Sequence, residues 1–336
     1  MHGHVTLKEI AAACGVSVSA VSQILNNKPG DFSSPQTKLK VMETARQMGY
    51  KKSFSYSLLH GGKTSTVAVM VHMQRGMYEE YITDLILQLT QELEKKEYSS
   101  YVAVMGNDAG TNLKKVREYI TRGVGHFIML NRPRGYAEIS AAIHQAKAME
   151  TGIHPWHERC VVADFHKAFS NLLSYIRSRV GENYRFLTNT PVVCPVRLSV
   201  FAGEYPALSQ EELFQKYFRY LFPIAEIPEE FPNEAFDSGC RTVMELLQKE
   251  KNIKALVCVN DAFAIGAAAG VRKLGLQVGK DILIAGCNND KTTRFAADPI
   301  SSIDFGWRKM APLLAEKALT DSPCREFFEA ELIIRE

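Results

Sequence analysis

The sequence predicts a small all-α headpiece followed by a much larger α/β body, and three observations carry that reading. The first is a pair of short amphipathic helix patterns between Val5 and Lys28. The second is a change of texture after Thr66, where apolar strand-like runs begin to alternate with helical stretches. The third is that the alternation comes as two successive sets, each long enough to build its own sheet. At 336 residues the chain has room for more than one core.

In the headpiece, Thr6 is a helix N-cap type with Glu9 three residues later, which makes a capping box. Leu7, Ile10 and Ala11 fall on one helical face, and Gly15 ends the helix because it turns the chain at little steric cost. Ser17 caps a second helix in which Val21, Ile24 and Leu25 recur at helical spacing. Two short helices joined by a glycine turn form a helix-turn-helix, whose second helix typically lies in the DNA major groove. Its outer face carries Val18, Ser19, Ser22, Gln23 and Asn26. Gln pairs bidentately with adenine and Val touches a thymine methyl. On spacing alone, a surface helical hairpin with a polar face fits the same residues. Asn27-Lys28-Pro29-Gly30 is turn chemistry, and Ser34-Pro35 opens a third helix with an inward stripe expected at Leu39, Met42 and Ala45.

Composition narrows the classes. Hydrophobic residues make up 46% of the chain and the mean hydropathy is −0.13. There is no run of 18 apolar residues and no charged-then-apolar leader, so neither a membrane span nor a signal peptide is expected. The seven cysteines are scattered and lack a C-x-x-C pair, which favours free thiols in a reducing cytoplasm. The net charge of +3 is unevenly spread. Residues 1–64 hold eight Lys and Arg against Glu9, Asp31 and Glu43, a net +5, which leaves −2 for the remainder. A basic head on a slightly acidic body suits phosphate binding, with salt-dependent affinity and a nucleoid-associated location.

Along the body, Val67–Val71 reads as a doubly buried strand and Tyr78–Lys96 as a long amphipathic helix. Tyr101–Met105, a helix from Leu113 to Ile120, Phe127–Leu130, a helix from Tyr136 to Met149, and Cys160–Ala163 continue the alternation. In the second set, Phe169–Val180 is helical, Tyr184–Leu187 and Leu198–Phe201 are strand-like, and Gln210–Tyr220 is helical. Cys240–Lys251, Ala255–Val259, Phe263–Leu274 and Ile282–Ala285 complete it. Repeated βα units imply parallel sheets with right-handed crossovers.

The wording of two stretches adds a resemblance. VTLKEIAAACGVSVSAVSQILNN closely resembles the headpiece of lac repressor family transcription regulators, and VNDAFAIGAAAGVRKLGLQVGKDILIAGCNND, residues 259–290, resembles their two-lobed periplasmic-binding-protein-like body. SSIDF at 301–305 is similar to the family's late crossover strand. The resemblance implies a headpiece over 1–50, a hinge over 51–64 and a body over 65–336. Lobe 1 is then about 65–163 plus 305–320, and lobe 2 about 164–304 plus 321–336. It also implies a dimer on double-stranded operator DNA, because one recognition helix reads few bases and two-fold symmetry doubles the site. DNA contacts are expected from Thr6, Ser17, Val18, Ser19, Ser22, Gln23, Asn26, Lys28, Tyr56 and Leu59, with Leu59 aligned to the hinge leucine that wedges into the minor groove. Ala20 and Gln23 replace a usual Thr and Arg, so the docking carries over and the base preference does not. Tyr56 replaces a customary Ala, and Lys52-Ser53 stand where the family has Pro-Asn.

Ligands of open α/β sheets bind beyond the carboxyl ends of the strands. Reading those ends and the family motifs together gives His72, Asp164, Arg197, Asn260, Asp261 and Asn288 as expected contacts for a small polar effector such as a sugar. Asn288 stands where the family has Asp, and Arg197 is displaced relative to Gly203, so an altered pocket, or a body that binds a protein partner instead, is the alternative. His154, His157 and Cys160 form an H-x-x-H-x-x-C run, but Pro155 argues against one helical face and no fourth ligand follows, so no metal is expected. Gly61-Gly62-Lys63-Thr64 resembles the end of a P-loop but lacks the first glycine and the preceding strand. No cofactor motif or catalytic constellation is present, so an enzyme is not expected.

Overall fold

The computed structural model describes residues 5–26, 32–50, 64–72, 80–188, 195–220 and 235–336, and the chain divides into two units, Met1–Thr64 and Ser65–Glu336. In the first unit, α1 (Leu7–Cys14) starts at the predicted capping box and ends at Gly15, whose φ of +68° is the left-handed conformation a glycine adopts freely. Helix α2 (Val18–Leu25) is capped by the Ser17 hydroxyl, which accepts from the Ala20 N–H, and α3 (Pro35–Gln47) by Ser34 with Pro35 in its first turn. Ile10, Ala11, Cys14, Val21, Ile24, Val41 and Ala45 form the core.

One expectation fails here. Leu39 and Met42 are 68% and 54% exposed; of the expected stripe Ala45 is buried, and Val41 faces inward beside it. Val41 and Ala45 are four apart and Met42 and Ala45 three apart, so both spacings are helical, and packing against the other two helices takes the smaller Val41 inward.

The second unit holds two six-stranded sheets. In chain order its elements begin with β1 (Thr64–His72), α4 (Glu80–Lys95), β2 (Ser99–Met105), α5 (Ala109–Thr121), β3 (Val124–Met129), α6 (Tyr136–Gln145), β4 (Met149–Gly152) and β5 (Cys160–Asp164). They continue with α7 (His166–Val180), β6 (Tyr184–Thr188), α8 (Pro195–Glu204), α9 (Gln210–Tyr217), β7 (Phe218–Tyr220), α10 (Ala235–Lys249), β8 (Ala255–Cys258) and α11 (Asp261–Lys273). The last are β9 (Leu283–Cys287), α12 (Lys291–Phe295), β10 (Ile300–Asp304), α13 (Trp307–Ala318), β11 (Arg325–Glu329) and β12 (Glu331–Ile333). The first sheet runs β11-β5-β4-β3-β1-β2 and the second β12-β10-β9-β8-β6-β7. Only the β10–β12 pairing is antiparallel among the described registers.

Three differences from the sequence reading stand out. Leu198–Phe201 is helical, inside α8, because Phe201 is fully buried among Phe169, Phe186 and Phe218 on a helix face rather than a strand face. The helix from Tyr136 stops at Gln145 and Met149–Gly152 is strand β4, and likewise Phe218–Tyr220 leaves the helix to pair with β6. Residues 321–336, expected in the second lobe, are divided between the two: β11 pairs with β5 in the first sheet and only β12 joins the second.

The chain therefore crosses between the lobes three times, after β5, after β10 and at Ala330. The first and last crossings are tied together, since the Ala330 N–H donates to the Asp164 carbonyl at 3.1 Å. In the first lobe α4 and α13 cover one face of the sheet with Leu85, Leu89, Leu93, Met310, Leu314 and Ala315. In the second lobe α10 and α11 lie against β8 and β9. Their contact is close at Gly239, where an added Cβ would come 2.2 Å from the Phe263 carbonyl oxygen.

Candidate functional site

Two regions present functional side chains. On the headpiece, Val18 and Ser19 are exposed at the start of α2, and Ser22, Gln23 and Asn26 follow on its outer side, half-buried. Asn26 Nδ2 donates to the Ser22 carbonyl at 2.7 Å, so this amide closes the helix end. Thr6 and Ser17 are engaged as N-caps. Lys28, Tyr56 and Leu59 lie outside the described residues.

The second region is a cavity of about 150 Å³ lined from both lobes of the body. The first lobe contributes Glu80, Tyr81 and Asp84 of α4 and Trp307, Arg308 and Lys309 at the start of α13. The second contributes Asn288, Asn289, Asp290 and Lys291 between β9 and α12, with Asp304 at the end of β10. Tyr81 and Trp307 stack with centroids 4.4 Å apart and rings 17° from parallel, forming an aromatic wall. Across the cavity, Lys291 Nζ lies 2.8 Å from Asp84, and the backbone N–H groups of Lys291 and Thr292 donate to Glu80 at 3.3 and 3.4 Å. These contacts link α4 of one lobe to the start of α12 in the other.

The turn entering the cavity is unusual. Asn288 and Asn289 both have positive φ, 104° and 50°, a conformation that costs energy for a residue with a Cβ. Hydrogen bonds hold it. The Asn289 N–H donates to Ser302 Oγ at 3.0 Å, Asn289 Nδ2 to Asp304 at 2.9 Å, and Arg335 Nη2 to Asn289 Oδ1 at 2.5 Å.

Of the six residues expected to contact an effector, Asn288 lines this cavity. Asn260 is the N-cap of α11, its Oδ1 accepting from the Phe263 N–H at 2.9 Å. Asp261 is fully buried and accepts from Ser302 Oγ and from the Asp290 N–H, each at 2.7 Å. Burial pushes its carboxyl up to about 8. Arg197 Nη2 donates to the Val259 carbonyl at 2.9 Å, with its guanidinium 5.7 Å from the Phe186 ring centre. Asp164 is exposed at the crossover, where its carboxylate accepts from the His166 N–H. His72 closes β1 with its backbone clamped by the Asn131 amide at 2.5 and 2.7 Å, and burial holds its imidazole pKa below the ordinary value.

Sequence reading missed Glu80, Tyr81, Asp84, Lys291 and Trp307. Trp307 had a usable signal, being one of two tryptophans just after the SSIDF stretch. The charged residues had none, because their pairing joins positions about two hundred residues apart. The H-x-x-H-x-x-C run also resolves. His157 Nδ1 is 2.8 Å from Glu150 and 3.1 Å from the Tyr136 hydroxyl, all inside the first lobe, while His154 stacks on Trp156.

Comparison with known proteins finds matches to the headpiece and to the body. Residues 6–53 match bacterial regulatory proteins of the lacI family, and residues 196–325 match the periplasmic binding protein-like domain. The ribose operon repressor of Haemophilus influenzae is 23% identical over 321 residues, covering 94% of this chain and 91% of that protein. The lac repressor dimer bound to operator and the anti-inducer ONPF superposes with a TM-score of 0.65 at 17% identity, over 99% of this chain and 98% of that one. A complex of the transcriptional regulator CelR with cellobiose superposes at 0.63 with 18% identity, over 99% of both.

Proposed function

We propose that this chain, whose residues 6–53 match bacterial regulatory proteins of the lacI family, is a DNA-binding regulator that acts as a cytoplasmic homodimeric repressor controlled by a small polar effector. One observation carries the effector reading: the cavity draws its lining from both lobes. A ligand there touches groups whose separation depends on lobe arrangement, so it binds one arrangement better than another, which is the requirement for control. The lining suits a hydroxyl-rich molecule, with an aromatic wall for an apolar face and amides and charges for its rim. The complex of CelR with cellobiose makes a sugar the first class to try.

Dimerisation has its own support. Strand β2 is an edge of the first sheet, and it exposes Tyr101, Val102 and Val104, with Leu87 exposed on the neighbouring α4. An apolar edge strand in a monomer is a hazard, and a second copy across a two-fold axis covers it. In this reading Val18, Ser19, Ser22 and Gln23 face base edges, and Lys28, Tyr56 and Leu59 contact the DNA backbone and minor groove.

A specific observation favours a second reading, in which the body answers to a protein partner: Arg197, Asn260 and Asp261 are already bonded within the protein. The experiment selects bound duplexes from a random pool and then titrates sugars against the recovered complex. A near-palindromic site that a sugar releases or tightens supports the proposal. A non-repeating site bound by a monomer rejects the dimer, and indifference to every sugar favours the protein partner.

A further inference from the structure

The Asn288–Asn289 turn needs something to hold it, and the structure supplies this from below the cavity floor. Left-handed backbone at two successive non-glycine residues persists only where the surroundings over-determine it. Asp261, at the first position of α11, receives the Asp290 N–H on one carboxylate oxygen and the Ser302 hydroxyl on the other, both at 2.7 Å. Ser302 in turn accepts from the Asn289 N–H at 3.0 Å. Two consecutive amides of the turn thus end on one buried pair, drawn from α11 and β10. Both members have no exposed surface. The fit leaves no slack, since a Cβ added at Gly286 would fall 2.2 Å from Asp261 Oδ1.

We propose that Asp261 and Ser302 are positioning residues of the interlobe cavity: they hold the left-handed turn, and the turn sets where the Asn288 amide meets a ligand. Asp261 does not itself touch the ligand, contrary to the expectation from its motif. The inference rests on the effector reading of the cavity. It adds that this wall is built before ligand arrives, so binding does not have to order it.

The carboxyl of Asp261 also couples the turn to pH. It faces the Asp290 carboxylate, the Arg335 guanidinium and the Cys258 thiol; burial, reinforced by the Asp290 charge, outweighs the hydrogen bonds from Ser302 and Asp290 and the pull of Arg335. Because burial disfavours its charged form, an opening of the turn that lets water reach the carboxyl becomes easier as pH rises towards 8.

Amide hydrogen exchange on the full-length protein tests the proposal without needing a ligand. Asp261→Ala and Ser302→Ala should each raise exchange at Asn289 and Asp290 about tenfold, as for a lost buried hydrogen bond, with β6 and β8 unchanged. Asp261→Asn keeps an oxygen for the Asp290 N–H and should restore protection to within about threefold. Wild-type protection at Asp290 should fall as pH rises towards 8, and that fall should vanish in Asp261→Asn, which a merely space-filling role would not produce. If Asp261→Ala does not fold, Ser302→Ala carries the test. Unchanged exchange in the alanine variants, or no rescue by asparagine, overturns the proposal. Thermal shifts of the wild type with D-ribose and cellobiose examine the effector reading separately. Silence from both sugars counts against that reading, while the exchange pattern still decides who holds the turn.

Discussion

Gly239→Ala is a perturbation whose size can be worked from the packing of α10 on α11. The new Cβ would lie 2.2 Å from the Phe263 carbonyl oxygen and 3.0 Å from the Ala267 nitrogen, both backbone atoms that no rotamer change can move aside. Phe263 is fully buried and its N–H is tied to Asn260, so the first turn of α11 resists displacement. Overpacking of a core costs about 1–3 kcal/mol, and a backbone clash belongs at the upper end. Alanine returns about 1 kcal/mol through helix propensity. The net expectation is a loss of about 2 kcal/mol, or about 4–8 °C in melting temperature for a unit of this size. Gly203→Ala is the control: it lies on α8 with nothing within 4 Å of the added atom, and should be neutral or gain up to about 1 kcal/mol. Differential scanning calorimetry of both variants decides the matter. If Gly239→Ala melted as high as Gly203→Ala, the close helix seam would be refuted. Because Phe263 sits just after Asp261, a true shift of this turn should also disturb the Asn288–Asn289 wall.

Other outcomes follow from the same geometry. Asp261 has a carboxyl raised from 3.8 to about 8, so the folded state keeps a proton that the unfolded chain releases over that interval. Stability due to this group therefore falls as pH rises from 4 to 8, by up to about 1.4 kcal/mol per unit, and Asp261→Asn should flatten the slope in denaturant titrations; an unchanged slope counts against the shift. Lys291→Glu places a carboxylate against Glu80 and Asp84 and should open the lobes at low salt, read as a larger radius of gyration by X-ray scattering, with recovery in the double variant Lys291→Glu, Asp84→Lys. A radius insensitive to the charge reversal would show that these ions do not bridge the lobes in solution. Gln23→Ala should weaken cognate DNA binding by about 1–3 kcal/mol and relax preference at one base pair per half-site, measured by competition binding; retained preference would move the reading face elsewhere.

The headpiece was almost wholly legible, because its signals are local. Caps at Thr6, Ser17 and Ser34 and the turn at Gly15 act within four residues of where they stand in the sequence. The alternation of the body was legible for the same reason, since burial on both faces of a parallel strand writes a continuous apolar run. Where two patterns competed, local reading chose wrongly: Leu39 and Met42 stand at a helical spacing from Ala45 just as the buried Val41 does, and α8 carries a short apolar run that also fits a strand.

The candidate site divides along the same line. Asn288 was readable because loop residues after a strand in this architecture face a ligand. Asp261 stood in the same motif, yet its role was decided by Ser302 and Asp290, forty-one and twenty-nine residues away, whose donors enclose it and leave no face for a ligand. Glu80, Asp84 and Lys291 become one site only when α4 and α12 meet across the lobes. Sequence by itself determined most of the elements and their order, because helix caps, glycine turns and apolar periodicity act over a few residues. Tertiary structure alone decided which polar side chains are ligand-facing and which are consumed in support, because hydrogen bonds and desolvation act on neighbours in space, and those neighbours come from distant parts of the chain.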